Sequence, residues 1–169
     1  MSTIKVENLT GLTSGANANK IIVPSGQTLT APGHVIQYAQ TETGTATTIS
    51  AGASATILTI NFTPKFTTSK IRVSYTFHNL RKTTGAGVNT WFNSRIFLDG
   101  TQQGNINGTM GYPETFNDHR YTYSAEGELA SWSGAKPVAL NGYVGSTGST
   151  WVVSYQGATT NMTVMEIAQ

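Results

Sequence analysis

The run Ile71-Arg-Val-Ser-Tyr-Thr-Phe77 alternates apolar and polar side chains without a break. Successive side chains of a strand point to opposite faces, so Ile71, Val73, Tyr75 and Phe77 share one face and must bury it. A helix cannot use that pattern, and no window of the chain shows a helical apolar period with caps. The alternation returns at the end of the chain, in Met162-Thr-Val-Met-Glu-Ile-Ala-Gln169. There Met162, Val164, Glu166 and Ala168 share one parity, and Thr163, Met165, Ile167 and Gln169 share the other. Neither set is purely polar, so each side needs something to pack against. Chain termini fray unless a sheet or a docking surface holds them. The expectation is a final strand built into a sheet, and one that reaches a subunit contact.

Composition agrees with an all-β chain. Hydrophobic residues make up 38% and charged residues 11%, against about 45–50% and about 25% in ordinary soluble chains. Thr, Gly, Ser and Asn fill the difference, with Thr near one residue in six. The β-branched Thr suits a pleated surface, and Gly and Asn suit turns. A net charge of +2, with three Trp, seven Tyr and six Phe, does not fit the disordered class. The basic residues are scattered, with Arg81-Lys82 the densest pair, so the patch that nucleic-acid binders carry is missing. There is no cysteine, which removes disulfides and thiolate chemistry. Neither an apolar leader nor a run long enough to span a bilayer is visible. The expected product is soluble, made in a cytoplasm, with no nucleic acid and no membrane insertion among its partners.

Turn residues divide the chain. Residues 1–33 contain short strand candidates at Ile4–Val6 and Lys20–Val23, the punctuators Pro24-Ser-Gly26 and Pro32-Gly33, few large apolar residues and no aromatic. This segment cannot bury a core of its own and reads as an N-terminal extended arm. From 34 to 169 the strand-like runs are His34–Gln40, Thr45–Ile49, Ala55–Phe62, Lys70–Leu80, Thr90–Leu98, a weaker Asn105–Met110, Tyr121–Glu128, Pro137–Val144, Trp151–Tyr155 and Met162–Gln169. Asp99-Gly100 is a strong hairpin signal, and Asn107-Gly108 and Asn141-Gly142 read the same way. So many short strands at this length predict an antiparallel β-sandwich, with a jelly roll the simplest arrangement.

Residues able to carry chemistry are few. Of the histidines only His119 lies beside a carboxylate, in Asn117-Asp-His-Arg120, and no spacing supplies the three or four converging ligands of a metal site. The expectation is no metal and no cofactor. Glu126 and Glu128 share a strand parity and stand about 7 Å apart, within the range of a glycosidase acid pair. Paired acids on a strand face are ordinarily solvated, and no Gly-x-Ser-x-Gly elbow occurs, so no enzyme is expected. Trp132, flanked by small residues, and Tyr112, before Pro113, read as loop aromatics, suited to sugar stacking or to plugging the end of the sandwich. With His119 they form the candidate ligand site. Trp91 and Trp151 fall in strand runs and read as core. Glu166 lies among apolar residues and needs a partner, because an unpaired buried carboxylate is costly. That partner is a basic residue of a neighbouring chain or strand-end backbone amides, unless the side chain sits at the rim.

The phrases Lys20-Ile-Ile-Val-Pro-Ser-Gly-Gln-Thr-Leu29 and Ala31-Pro-Gly-His-Val-Ile-Gln37 resemble the opening of small virion proteins of tailed bacteriophages. The hairpin Ile96-Phe-Leu-Asp-Gly100 and the ending Met162–Ala168 resemble the trimeric jelly roll of complement and tumour-necrosis-factor type. The stretch from about Gly104 to Lys136 matches neither. The resemblance implies a homotrimer with the terminal strand near the threefold axis, where Met162, Val164, Met165 and Glu166 meet their counterparts. It implies an arm that attaches to other virion proteins, and a place on the particle surface as a fibre or knob that binds a host glycan or protein. A capsid decoration without recognition is the alternative, and a glycan depolymerase the distant one.

Overall fold

The computed structural model describes residues 31–84, 90–112, 120–145 and 150–169, with the backbone alone at 84, 90, 105, 107 and 110–112. Of the arm assigned to residues 1–33, all but the last three positions lie outside the described residues. The strands are β1 (Val35–Thr43), β2 (Thr47–Ile49), β3 (Ser54–Phe62), β4 (Lys70–Thr84), β5 (Thr90–Leu98), β6 (Thr101–Tyr112), β7 (Arg120–Ala130), β8 (Lys136–Val144), β9 (Thr150–Val153) and β10 (Thr160–Ile167).

Their pairing is nested. β5 pairs with β6, β4 with β7, β3 with β8 and β1 with β10, all antiparallel. The chain is thus one long ribbon, doubled back at Asp99-Gly100 and rolled up. That tip has Asp99 at φ 51° and Gly100 at φ 78°, the left-handed pair that a two-residue hairpin turn requires. Rolling distributes the ribbon over two sheets. The first runs β1-β10-β4 with β7 on the far side of β4, and the second runs β3-β8-β5-β6. β2 and β9 pair with each other and extend the first sheet along the upper part of β4. This is the expected all-β antiparallel sandwich of jelly-roll type.

The core lies between the sheets. Ile71, Val73, Tyr75, Phe77 and Leu80 of β4 and Met162 and Val164 of β10 are buried on the inner side of the first sheet. Leu58, Ile60, Phe92, Ile96, Val138 and Leu140 are buried on that of the second. Phe77 meets Phe92 edge to face across the gap, centroids 5.4 Å apart, a favoured aromatic geometry. The Tyr75 hydroxyl lies 2.7 Å from Ser94 Oγ and ties β4 to β5. Burial pushes its pKa up, against the Ser94 hydrogen bond, so it stays a neutral phenol.

Two expected turns are strand interior instead. Asn107-Gly108 lies within β6 and Asn141-Gly142 within β8. Space demands those glycines. A Cβ on Gly142 would sit 2.7 Å from Ile49 Cδ1 and 2.9 Å from the Phe92 ring, and one on Gly108 would fall on the Tyr123 phenol.

Candidate functional site

The final strand is an interior strand, flanked by β1 and β4. Its inner row is Thr160, Met162, Val164, Glu166 and Ala168, all buried, which is the parity expected for Met162, Val164 and Glu166. The proposed use of that row needs correction. Met162 and Val164 are buried in the core of their own chain, so they are not free to form a subunit contact. Of the four residues assigned to the contact only Met165 lies on the outer row of β10, half-buried beside Ile167.

Glu166 is fully buried, and its partners come from the same chain. Its Oε1 accepts from the Phe66 amide at 2.8 Å and the Ser69 hydroxyl at 2.7 Å. Its Oε2 accepts from the Lys65 amide at 2.9 Å and Gln37 Nε2 at 2.7 Å. The Ser69 hydroxyl lies equally close, 2.7 Å, to the Phe66 carbonyl, which also accepts from Ser131 at 2.6 Å. Gln37 also donates to the Thr63 carbonyl, 2.7 Å away. Of the partners anticipated for Glu166, the backbone amides are the ones present, supplied by the segment between β3 and β4. Burial pushes its pKa up, but the hydrogen bonds from Lys65, Ser69, Phe66 and Gln37 outweigh it and hold it below the ordinary carboxylate range. This charged site is structural: it fastens residues 63–69 to the terminal strand.

Trp132 closes the same end. Its ring is buried in the core cluster, edge to face with Phe62 at 6.2 Å, and its Nε1 donates to the Phe62 carbonyl at 3.2 Å. The exposed-loop expectation is therefore corrected. The small residues around Trp132 let the ring fold inward, and it plugs the sandwich. Tyr112 is the last residue of β6 rather than part of a loop, and its side chain and His119 lie outside the described residues. The three candidate ligand residues are not brought together among the described residues.

Glu126 and Glu128 lie on the outer face of β7 as their parity required, each in an ion pair. Glu126 meets Arg72, and Glu128 meets Lys70 at 3.2 Å. Beside them is an open groove of about 520 Å³ lined by Thr67, Ser69, Lys70, Glu128 and Gln169, among others. No group of three metal-ligating side chains occurs among the described residues. Lys82 is buried on β4 opposite Trp151, and its Nζ has no hydrogen-bond partner among the described residues.

The outer faces of the two sheets differ. On the first, the register sets Val35, Ile167 and Lys70 in one row and Tyr38, Met165, Arg72 and Glu128 in the next. Val35 and Tyr38 are 45% and 69% exposed, so an apolar corner borders the ion pairs. On the second, β5 turns Trp91, Asn93 and Arg95 outward. Trp91 was expected in the core and is 50% exposed. Its parity with Asn93 and Arg95, opposite to that of buried Phe92, Ser94 and Ile96, is the signal that could have placed it outside. Its indole lies over Gly145, where a Cβ would come within 2.1 Å of Nε1. The Arg95 guanidinium stacks on the Tyr143 ring at 4.2 Å, and Thr109 donates to Asn93 Oδ1 at 2.6 Å.

No family model matches the chain, and no curated protein does. Solved structures with a similar strand arrangement include the VP2 subviral particle of infectious bursal disease virus, at 12% identity and a TM-score of 0.42. Others are the T13 particle of the same virus, at 11% and 0.43, and dimeric latent PorU from Porphyromonas gingivalis, at 8% and 0.45. They cover 79%, 88% and 90% of this chain, which spans 38%, 40% and 15% of theirs. The likeness is one of strand arrangement in outline, and no activity, ligand or assembly passes from those proteins to this chain. Two of the three are virus particles and none is a phage fibre or a complement-type domain. The resemblance to fibres and trimeric jelly rolls rests on sequence motifs alone.

Proposed function

We propose that the chain is a virion structural protein, a jelly-roll knob carried on the particle surface as a homotrimer and used in host attachment. The observation that carries this reading is the apolar corner on the outer face of the first sheet. Val35, Tyr38, Met165 and Ile167 sit side by side on β1 and β10, and two of them are more than 40% exposed. Large exposed apolar residues that adjoin one another mark contact surfaces. Self-association through this corner keeps the terminal strand at the subunit contact, through Met165 of the four residues assigned to it. The ion-paired Glu126 and Glu128 on an open face favour binding over hydrolysis, and the arm serves as the link to other virion proteins.

Light scattering of the full chain tests the assembly. A trimer that Tyr38→Glu converts to a folded monomer supports the reading, and a wild-type monomer at micromolar concentration overturns it. Labelling the chain in intact particles tests location. Signal at fibre or tail tips supports attachment, and signal spread over the shell favours decoration instead.

A further inference from the structure

We propose that the outer face of the second sheet binds a carboxylate-bearing glycan, with a sugar ring on Trp91 and a carboxylate drawn to Arg95. The inference rests on the attachment reading and names its ligand class.

Charge is the first argument. Strands β3, β8, β5 and β6 contain no Asp or Glu at all, and their charged side chains are Arg95 and Lys136. Lys136 is matched by Asp99 in the adjoining turn, at 3.7 Å. Arg95 meets no carboxylate among the described residues, and its guanidinium stacks on Tyr143. A guanidinium fixed on a ring keeps its donor edge for a planar anion such as a carboxylate.

Shape is the second. With its pyrrole side over Gly145, Trp91 offers an open indole surface, and it is half exposed. An aromatic face of this kind suits the C–H side of a sugar ring. Asn93 stands between Trp91 and Arg95, and Thr109 fixes its amide by donating to Oδ1. That leaves the Asn93 Nδ2 protons to donate to a sugar hydroxyl. Trp91 and Arg95 are about 13 Å apart along the strand, longer than one sugar ring, so the ligand is an oligosaccharide.

Tryptophan fluorescence and calorimetry with tetragalacturonate as the acidic probe and cellotetraose as the neutral one test the proposal. Tetragalacturonate is expected to bind with a Kd of about 1 mM or tighter and more tightly than cellotetraose. Trp91→Ala should weaken it at least about tenfold. Arg95→Gln should abolish the preference for the acidic probe. If Trp91→Ala does not fold, Trp91→Phe and Arg95→Gln carry the test. Absence of saturable tetragalacturonate binding overturns the proposal, as does a Trp91→Ala protein that binds like wild type. So does dissociation of an assembled wild type by Trp91→Ala, because the face would then be a subunit contact. Because binding is read on purified protein, glycan binding by a chain absent from particles overturns only the attachment reading. A chain located on particles that ignores tetragalacturonate overturns only this inference.

Discussion

The two sheets are halves of one rolled ribbon, yet they present opposite surfaces. The first sheet holds the strand acids Glu42, Glu126, Glu128 and Glu166, and sets Arg72 and Lys70 against two of them. The second has no acid in any strand and shows an indole, an amide and a stacked guanidinium. A net charge of +2 conceals this division. Matched charges on an open face contribute little to stability, whereas an unmatched cation beside an aromatic surface remains available to a ligand. The first sheet thus sets cations against two of its outer carboxylates, whereas the second leaves Arg95 without a carboxylate among the described residues.

The comparison can be broken from the inside out. Glu166 is the one acid of the first sheet that points inward, so its removal should have the largest effect. Glu166→Ala leaves the Lys65 and Phe66 amides without their acceptor and removes one of the two acceptors of Gln37, and should destabilise the fold by about 3–5 kcal/mol in urea unfolding. The pH dependence follows from its lowered pKa. Stability from this group is fully present above the unfolded value of about 4.3 and is lost as pH falls through the lower folded value. Glu166→Gln should flatten that acid limb, and an unchanged limb would mean that the carboxylate is not ionised in its site. Next comes Gly142→Ala on the second sheet. Its methyl group meets Ile49 and Phe92, and a loss of about 1–3 kcal/mol is expected. Wild-type stability there would mean that the inner side of β8 is loosely packed. The smallest effect belongs to the outer acids. Glu126→Gln and Glu128→Gln should leave the unfolding midpoint within error at neutral pH, and a large shift would undo the contrast between inner and outer carboxylates.

Much of the fold was legible because its signals are local. Alternation in Ile71–Phe77, turn residues at Asp99-Gly100 and the parity of Met162–Ala168 each arise within a few residues, and each appears in the structure. The failures have distant causes. Asn-Gly is a hairpin signal, but Gly108 and Gly142 make room for Tyr123 and for Phe92 and Ile49, which come from other strands. Trp132 had loop-like neighbours, yet its ring packs on Phe62, which precedes it by 70 residues. Glu166 was legible as a buried charge in need of a partner. The partner itself was not, because it comes from a segment 97 to 101 residues earlier in the chain. Of the candidate ligand residues only the Trp132 side chain is described, and it is buried. Hydrophobicity assigned Trp91 to the core, although its parity with Arg95 pointed outward.

The three tryptophans provide the most direct measurement, since Trp132 and Trp151 are buried at 8% and 0% exposure and Trp91 is 50% exposed. Acrylamide quenching of the native protein should therefore resolve one accessible and two protected indoles, with Trp91→Phe removing the accessible one. If the accessible fraction survives that substitution, or if none exists in the wild type, the second sheet does not present the open aromatic face on which this account depends.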